Sequence, residues 1–163
     1  MNKSTNKLYK VGNTWHSYNN SGWYGQGKHN FAIADADEDG SDEIIYGSMV
    51  LDFHTGDNSL HGCSSTGFGH GDASHTGDLD PFRKGLETFA CLEEKPGHNL
   101  RNAATCQIYY RHSSGGDDGL AMAGNFTNDY PGCIGMSATS GVISLASDRV
   151  INGWTNNWNA QTP

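Results

Sequence analysis

The sequence predicts an all-β chain built as about three blades of a partial β-propeller. Three observations predict it. No stretch carries a sustained 3.6-residue apolar period. Loop chemistry dominates, with 22 glycines among 163 residues. A weak motif recurs at positions 35, 78 and 125, spacings of about 43 and about 47 residues, inside the period expected of propeller blades.

Each unit is expected to supply two short strands about a polar turn. In the first, Phe31-Ala32-Ile33-Ala34 enters an acidic turn and Glu43-Ile44-Ile45-Tyr46-Gly47 leaves it; both runs read as short buried strands. The second unit runs through residues 73–80, a turn at 81–85 and residues 86–90. The third runs through 120–127, a turn at 128–132 and 133–136. Hairpin-like segments at 107–111 and 141–146 complete the pattern. The chain is read as a single segment 1–163, with blades at approximately 25–62, 63–112 and 113–150 and a tail at 151–163. Three blades do not close a ring, since propellers typically use 4–8. The remaining blades of a longer parent chain are therefore expected as partners.

Composition narrows the classes. The net charge of −8 argues against nucleic acid and anionic membrane surfaces as partners, and it suits a chain that holds divalent cations. No run of about 18 apolar residues exists. Residues 1–7 lack the apolar core of a signal peptide, so the chain is expected to be cytosolic or cut from a longer secreted precursor. The cysteines Cys63, Cys91, Cys106 and Cys133 show no C-x-x-C spacing. Cys91, inside Phe89-Ala90-Cys91-Leu92, reads as a buried free thiol, and a Cys91–Cys106 pairing is left open.

The stretch Asp35-Ala36-Asp37-Glu38-Asp39-Gly40-Ser41-Asp42-Glu43 has acidic side chains at loop positions 1, 3, 5 and 9 and a glycine at 6. Calcium takes 6–8 oxygens at ~2.3–2.6 Å and tolerates irregular geometry, and alternate carboxylates on a tight loop converge on one point. Gly40 permits the turn. Asp35, Asp37 and Asp39 are assigned as side-chain ligands, Ser41 as a carbonyl donor and Glu43 as the closing carboxylate. An EF-hand needs flanking helices and a Glu at position 12; Tyr46 stands there and strands flank the loop. The competing reading is an acidic, solvated turn.

A second dense stretch follows. Within Gly69-His70-Gly71-Asp72-Ala73-Ser74-His75-Thr76-Gly77-Asp78-Leu79-Asp80-Pro81-Phe82-Arg83-Lys84-Gly85-Leu86-Glu87, four acidic residues, two histidines and an arginine fall between 70 and 87. The pattern G-H-G-D-A-x-H, D-x-D-P-x-R, G-L-E resembles the bacterial rhamnogalacturonan lyases, a polysaccharide lyase family of calcium-rich β-propellers. Gly25-Gln26-Gly27-Lys28-His29-Asn30 and Asp42-Glu43-Ile44-Ile45-Tyr46-Gly47-Ser48-Met49-Val50 share the resemblance, which spans roughly residues 18–150. Departures stand at Lys28 (usually Asn), Asn102 and Cys106 in the R-D-A-A-T-G motif, and Leu120 in place of an arginine. Asn125 and Thr127 occupy the carboxylate positions of the third unit.

The resemblance implies eliminative cleavage of rhamnogalacturonan I, an acidic plant cell-wall polysaccharide, and a secreted, periplasmic or cell-surface parent. Elimination needs a cation on the uronate carboxylate, a base at the C5 proton and an acid at the leaving oxygen. His70 and His75 suit a base or a metal ligand. Asp72, Asp78, Asp80 and Glu87 suit a second calcium, with the Phe82 carbonyl as a further donor; zinc on the histidines is the rival. Arg83 is read as a uronate contact or as the partner of Glu87. Lys28 and Arg101 are read as substrate contacts or solvated charges. Trp15, Trp23, Tyr24 and Tyr46 are read as sugar-stacking or core. The alternative to a lyase segment is a non-catalytic, calcium-stabilised carbohydrate-binding or adhesion propeller.

Overall fold

The structure is a computed structural model that describes residues 25–52, 60–61 and 67–151. Trp15, Trp23, Tyr24, Cys63 and residues 152–163 lie outside them. The described residues contain twelve strands and no helix. They form three four-stranded antiparallel sheets, each a meander in chain order. The first holds β1 (Ala32–Ala34), β2 (Glu43–Tyr46), β3 (Met49–Leu51) and β4 (Leu60–His61). The second holds β5 (Ser74–Gly77), β6 (Glu87–Leu92), β7 (Gly97–Asn102) and β8 (Ile108–Ser113). The third holds β9 (Ala121–Gly124), β10 (Ile134–Ser137), β11 (Val142–Ser144) and β12 (Arg149–Val150). Each repeat therefore contributes one whole sheet, with its acidic or polar turn joining the first two strands.

The middle sheet explains the packing. β6 is buried along its entire length, which requires cover on both faces. Cross-strand register lines up His75, Phe89, Leu100 and Tyr110 on one face. Phe89 and Leu100 pack there against Leu145 and Ala121 of the third sheet. Ala103, Ala104 and Cys106, just beyond β7, pack against Ile45 and Val50 of the first sheet. Two cores thus sit between successive sheets, and each residue column obeys the period of two that strands impose.

One expectation is corrected and one open pairing is decided. β1 is not buried on both faces: Phe31 and Ile33 are each 60% exposed. Alternation turns the small Ala32 and Ala34 toward the core, which leaves the large side chains on the opposite face. Cys91 does not pair with Cys106: Cys91 and Cys133 are free thiols, whereas Cys106 is disulfide-bonded. Cys91 is fully buried, as the apolar run predicts.

Candidate functional site

The Asp35 loop curls as its spacing requires. Gly40 takes φ +93°, and Glu38 takes φ +65°. The Asp39 backbone N–H donates to Asp35 Oδ1 at 3.0 Å and to Asp37 Oδ1 at 3.1 Å. Gly40 N–H donates to Asp35 Oδ2 at 3.0 Å, and Ser41 N–H to Asp39 Oδ1 at 2.8 Å. Carboxylate oxygens of Asp35, Asp37 and Asp39 lie within 4.8 Å of one another. Glu43 starts β2 and is buried; its Oε2 accepts from Ala36 N–H at 2.7 Å and its Oε1 has no partner. Burial, the larger influence, and the neighbouring Asp37 push its carboxyl up. A converging carboxylate trio with an orphaned buried oxygen behind it fits a hard divalent cation.

The second turn repeats part of this design. Glu87 starts β6, and its Oε2 accepts from the N–H groups of Leu79 and Asp80 at 3.0 Å each. Its Oε1 is likewise buried without a partner, and burial raises its carboxyl above the usual range. Register matches the two glutamates, with Ala34 opposite Glu43 and Gly77 opposite Glu87. In the third sheet Ile134 stands opposite Gly124. With Asn125 and Thr127 in its turn, that sheet keeps only Asp129 of the three carboxylates that the first turn carries. The first two turns face a shared cavity of about 310 Å³ lined by Asp35, Glu38, Asp78 and Arg83.

The predicted second ligand set separates into parts. Asp80 is buried; its Oδ1 accepts from Phe82 N–H and its Oδ2 from Arg83 Nε at 2.7 Å. Arg83 thus pairs with Asp80, not with Glu87, and its guanidinium lies 4.0 Å over the Tyr109 ring. Asp78 is exposed. Asp72 joins a different group. Lys28 and Gly71 form a parallel bridge that sets the 28–30 segment beside 70–72. Asn30 secures the arrangement: its Nδ2 donates to Ser74 O at 2.6 Å and its Oδ1 accepts from Ser74 N–H at 3.0 Å. Gly71 is required there, because any Cβ would collide with the Cys91 carbonyl and Lys28 Nζ.

This bridge brings His29, His70 and Asp72 together with ligand atoms within 4.8 Å of one another. His29 Nδ1 lies 3.5 Å from Asp72 Oδ1, and His70 Nε2 lies 3.9 Å from it and 3.4 Å from Glu93 Oε2. The two imidazole centres are 5.0 Å apart. His70 Nδ1 donates to Gly27 O at 2.8 Å, which leaves Nε2 as the acceptor lone pair. A ring oriented through its far nitrogen is how metal-binding histidines are held. His29 and Glu93 are the residues that sequence reasoning missed. His29 sits in the same Gly25–Asn30 motif as Lys28, but only the bridge shows that it faces Asp72.

Two cations lie beneath this cluster. Lys28 is 1% exposed and its Nζ has no partner. Burial, with Arg101 beside it, holds its ammonium down at about 8 against the opposing pull of Cys91, Asp72 and Glu93. Arg101 is completely buried. Its Nη1 donates to Asn99 Oδ1 at 3.0 Å and its Nη2 to Gly47 O, and burial lowers it to about 10. Neither is the solvated charge that the sequence allowed. Arg101 ties the second sheet to the β2–β3 turn. His75 is also engaged, through Nε2 to Ala121 O at 2.9 Å, and it links the second and third sheets.

Similarity to known proteins places the chain in a family. The Rhamnogalacturonan lyase family 11, C-terminal domain model matches residues 4–161, and this chain belongs to that family. It is 51% identical over 116 residues to Rhamnogalacturonan endolyase YesW of Bacillus subtilis (strain 168). It is 50% identical over 113 residues to Rhamnogalacturonan exolyase YesX of the same organism. These alignments cover 69% and 68% of this chain but 18% of either relative. Among solved structures, that of rhamnogalacturonan lyase YesW aligns with a TM-score of 0.74 at 44% identity, covering 84% of this chain and 23% of that one. Bacillus licheniformis Rhamnogalacturonan Lyase PL11 aligns with a TM-score of 0.72 at 40% identity, covering 83% and 22%.

Proposed function

We propose that this chain is a segment of a calcium-dependent rhamnogalacturonan lyase that cleaves rhamnose–galacturonate bonds of rhamnogalacturonan I by β-elimination. The observation that carries the reading is the His29–His70–Asp72 cluster, held by the Lys28–Gly71 bridge, in a chain of this family. A secreted, periplasmic or cell-surface parent follows from a polymeric plant cell-wall substrate. The three sheets act as blades of a propeller, at approximately 25–62, 63–112 and 113–150, and further blades of the parent complete the cleft.

In this reaction the C5 proton of the uronate leaves to a base, its electron pair forms the C4–C5 double bond, and the C4–O bond breaks with its pair on the leaving oxygen, which an acid protonates. His29, His70 and Asp72 would hold a divalent cation, which would neutralise the uronate carboxylate as a Lewis acid and make the C5 proton more acidic. Gly27 O and Asn30 orient the cluster. Lys28 and Arg101 add positive potential beneath it, where an anionic sugar is to sit. His29 also lines a cavity of about 660 Å³ with Phe31 and Tyr46, whose rings offer flat faces for sugar stacking. The Asp35 loop, with Glu43 behind it, holds calcium in a structural role, and Asp78 and Glu87 offer oxygens to a second such ion. Two nitrogen donors in the His29 cluster favour zinc as the alternative metal there.

The non-catalytic reading keeps one observation in its favour. Leu120, 54% exposed, stands where the resemblance places an arginine, so one candidate contact for an anionic sugar is missing. Absorbance of unsaturated uronate product, followed with purified rhamnogalacturonan I and calcium, separates the two readings. The isolated chain should show little turnover and the parent should show robust turnover. A parent that binds the polymer without producing absorbance would replace the lyase by a binding module.

Calcium should also stabilise the folded chain through the Asp35 loop. A ligand that binds only the folded form adds RT ln(1 + [L]/Kd), ~2.7 kcal/mol at 100-fold saturation. Melts with calcium and with a chelator should differ accordingly, and Asp37→Ala should remove most of the difference. Equal midpoints for the unsubstituted chain would end the structural-calcium assignment.

A further inference from the structure

We propose that His98 and His112 form a separate site for a borderline divalent metal ion such as zinc, in the cleft between the second and third sheets. The two residues stand directly opposite each other on β7 and β8, so their side chains leave the same face. Their ring centres are 5.1 Å apart. With imidazole–zinc bonds of ~2.0–2.1 Å, two rings in a tetrahedral site have centres about 5 Å apart.

His112 is held by a carboxylate through one nitrogen, and His98 has a hydroxyl and a more distant carboxylate beside one of its own. His98 Nδ1 faces Asp118 Oδ2 at 3.7 Å and Ser137 Oγ at 3.4 Å. Asp118 is fully buried; burial pushes its carboxyl up, but donors from His98, Ser137 and Thr139 outweigh it and leave it below the usual range. His112 Nε2 donates to Asp148 Oδ1 at 2.7 Å. The opposite nitrogens, His98 Nε2 and His112 Nδ1, are then the lone-pair donors. His98 is 4% exposed, and its Nε2 has no hydrogen-bond partner.

An orphaned nitrogen inside a protein calls for a ligand. Both histidines line a cavity of about 290 Å³ together with Ser114, Thr139, Ile143 and Asp148, which leaves room for waters to complete the coordination. A water alone would satisfy His98, but it would not require a second imidazole with its own carboxylate. The carboxylate–histidine–metal arrangement requires both. Nitrogen donors select zinc, copper or nickel over calcium, so this site differs in chemistry from the acidic turns. A metal here would bridge β7 and β8, and Asp148, just before β12, would hold its His112 ligand from the third sheet.

The inference is independent of the lyase reading, and it is tested on the chain carrying His70→Asn, which removes the other histidine cluster. Zinc is titrated calorimetrically with calcium saturating, and the histidine ring resonances are followed by NMR. Zinc should bind despite the calcium, shift the His98 and His112 rings and raise the melting temperature. His112→Gln, at an exposed position that tolerates change, should weaken zinc ~10-fold or more, and His98→Gln should do the same. Asp148→Asn should weaken it ~10-fold by releasing the His112 ring. Zinc affinity unchanged in His112→Gln, or zinc that shifts neither ring, would overturn the site.

Discussion

Under the proposed function, His70→Ala in the parent protein should lower the elimination rate by ~100-fold or more, the scale of a lost metal ligand or general base. The expectation rests on placement. Gly27 O accepts from Nδ1–H at 2.8 Å, and Nε2 faces Asp72 and Glu93, so one substitution removes both an oriented ring nitrogen and a wall of the cluster. His75→Ala is the control. Its Nε2 contacts a carbonyl of the third sheet, so its loss should cost about 1 kcal/mol of stability and leave the rate constant for elimination within ~3-fold. His70→Ala should also weaken divalent-cation binding at the cluster, titrated calorimetrically with calcium and with zinc, a readout that does not depend on turnover. Full activity in His70→Ala would remove the cluster from the reaction, and equal losses at His70 and His75 would point to a folding defect.

Lys28→Met should stabilise the chain by up to about 3 kcal/mol at pH 7 in the presence of chelator. The ammonium is buried without a partner and held at about 8, against an ordinary 10.5. The sign follows from linkage. Between about pH 8 and 10.5 the unfolded chain binds more protons than the folded one, so stability rises with pH across that window. Below it the whole cost is present, ~1.4 kcal/mol for each tenfold loss of proton affinity on folding. Methionine fills similar volume without a charge, so its advantage should be largest at neutral pH and fade toward pH 10.5. Urea melts of both chains at several pH values measure this. A Lys28→Met chain that is less stable at pH 7, or whose difference ignores pH, would show that the charge is satisfied in the folded state.

The local features of this protein were legible in its sequence because short-range chemistry decides them. Alternation and turn glycines are read within a few residues, so the strand pairs about each polar turn were expected and were found within a few residues of their predicted bounds. Convergence of Asp35, Asp37 and Asp39 is likewise a property of one loop, fixed by its spacing and by the positive φ of Gly40. The loss of carboxylates in the third unit was also visible, at Asn125 and Thr127.

Partnership across the chain was not legible. The sequence grouped Asp72 with Asp78, Asp80 and Glu87 because they are neighbours in order. The structure instead gives Asp72 to His29 and His70, through a contact between segments 43 positions apart. The burial of Lys28 and Arg101 depends on the first sheet closing over the second, and no residue near either one in the chain announces it. His98 and His112 read as two unremarked histidines until strand register sets them face to face and the third sheet supplies Asp118 and Asp148. A strand's own sequence dictates which of its faces is apolar. Which side chains meet across that face is set by register and sheet stacking, and those depend on contacts that only the folded chain makes.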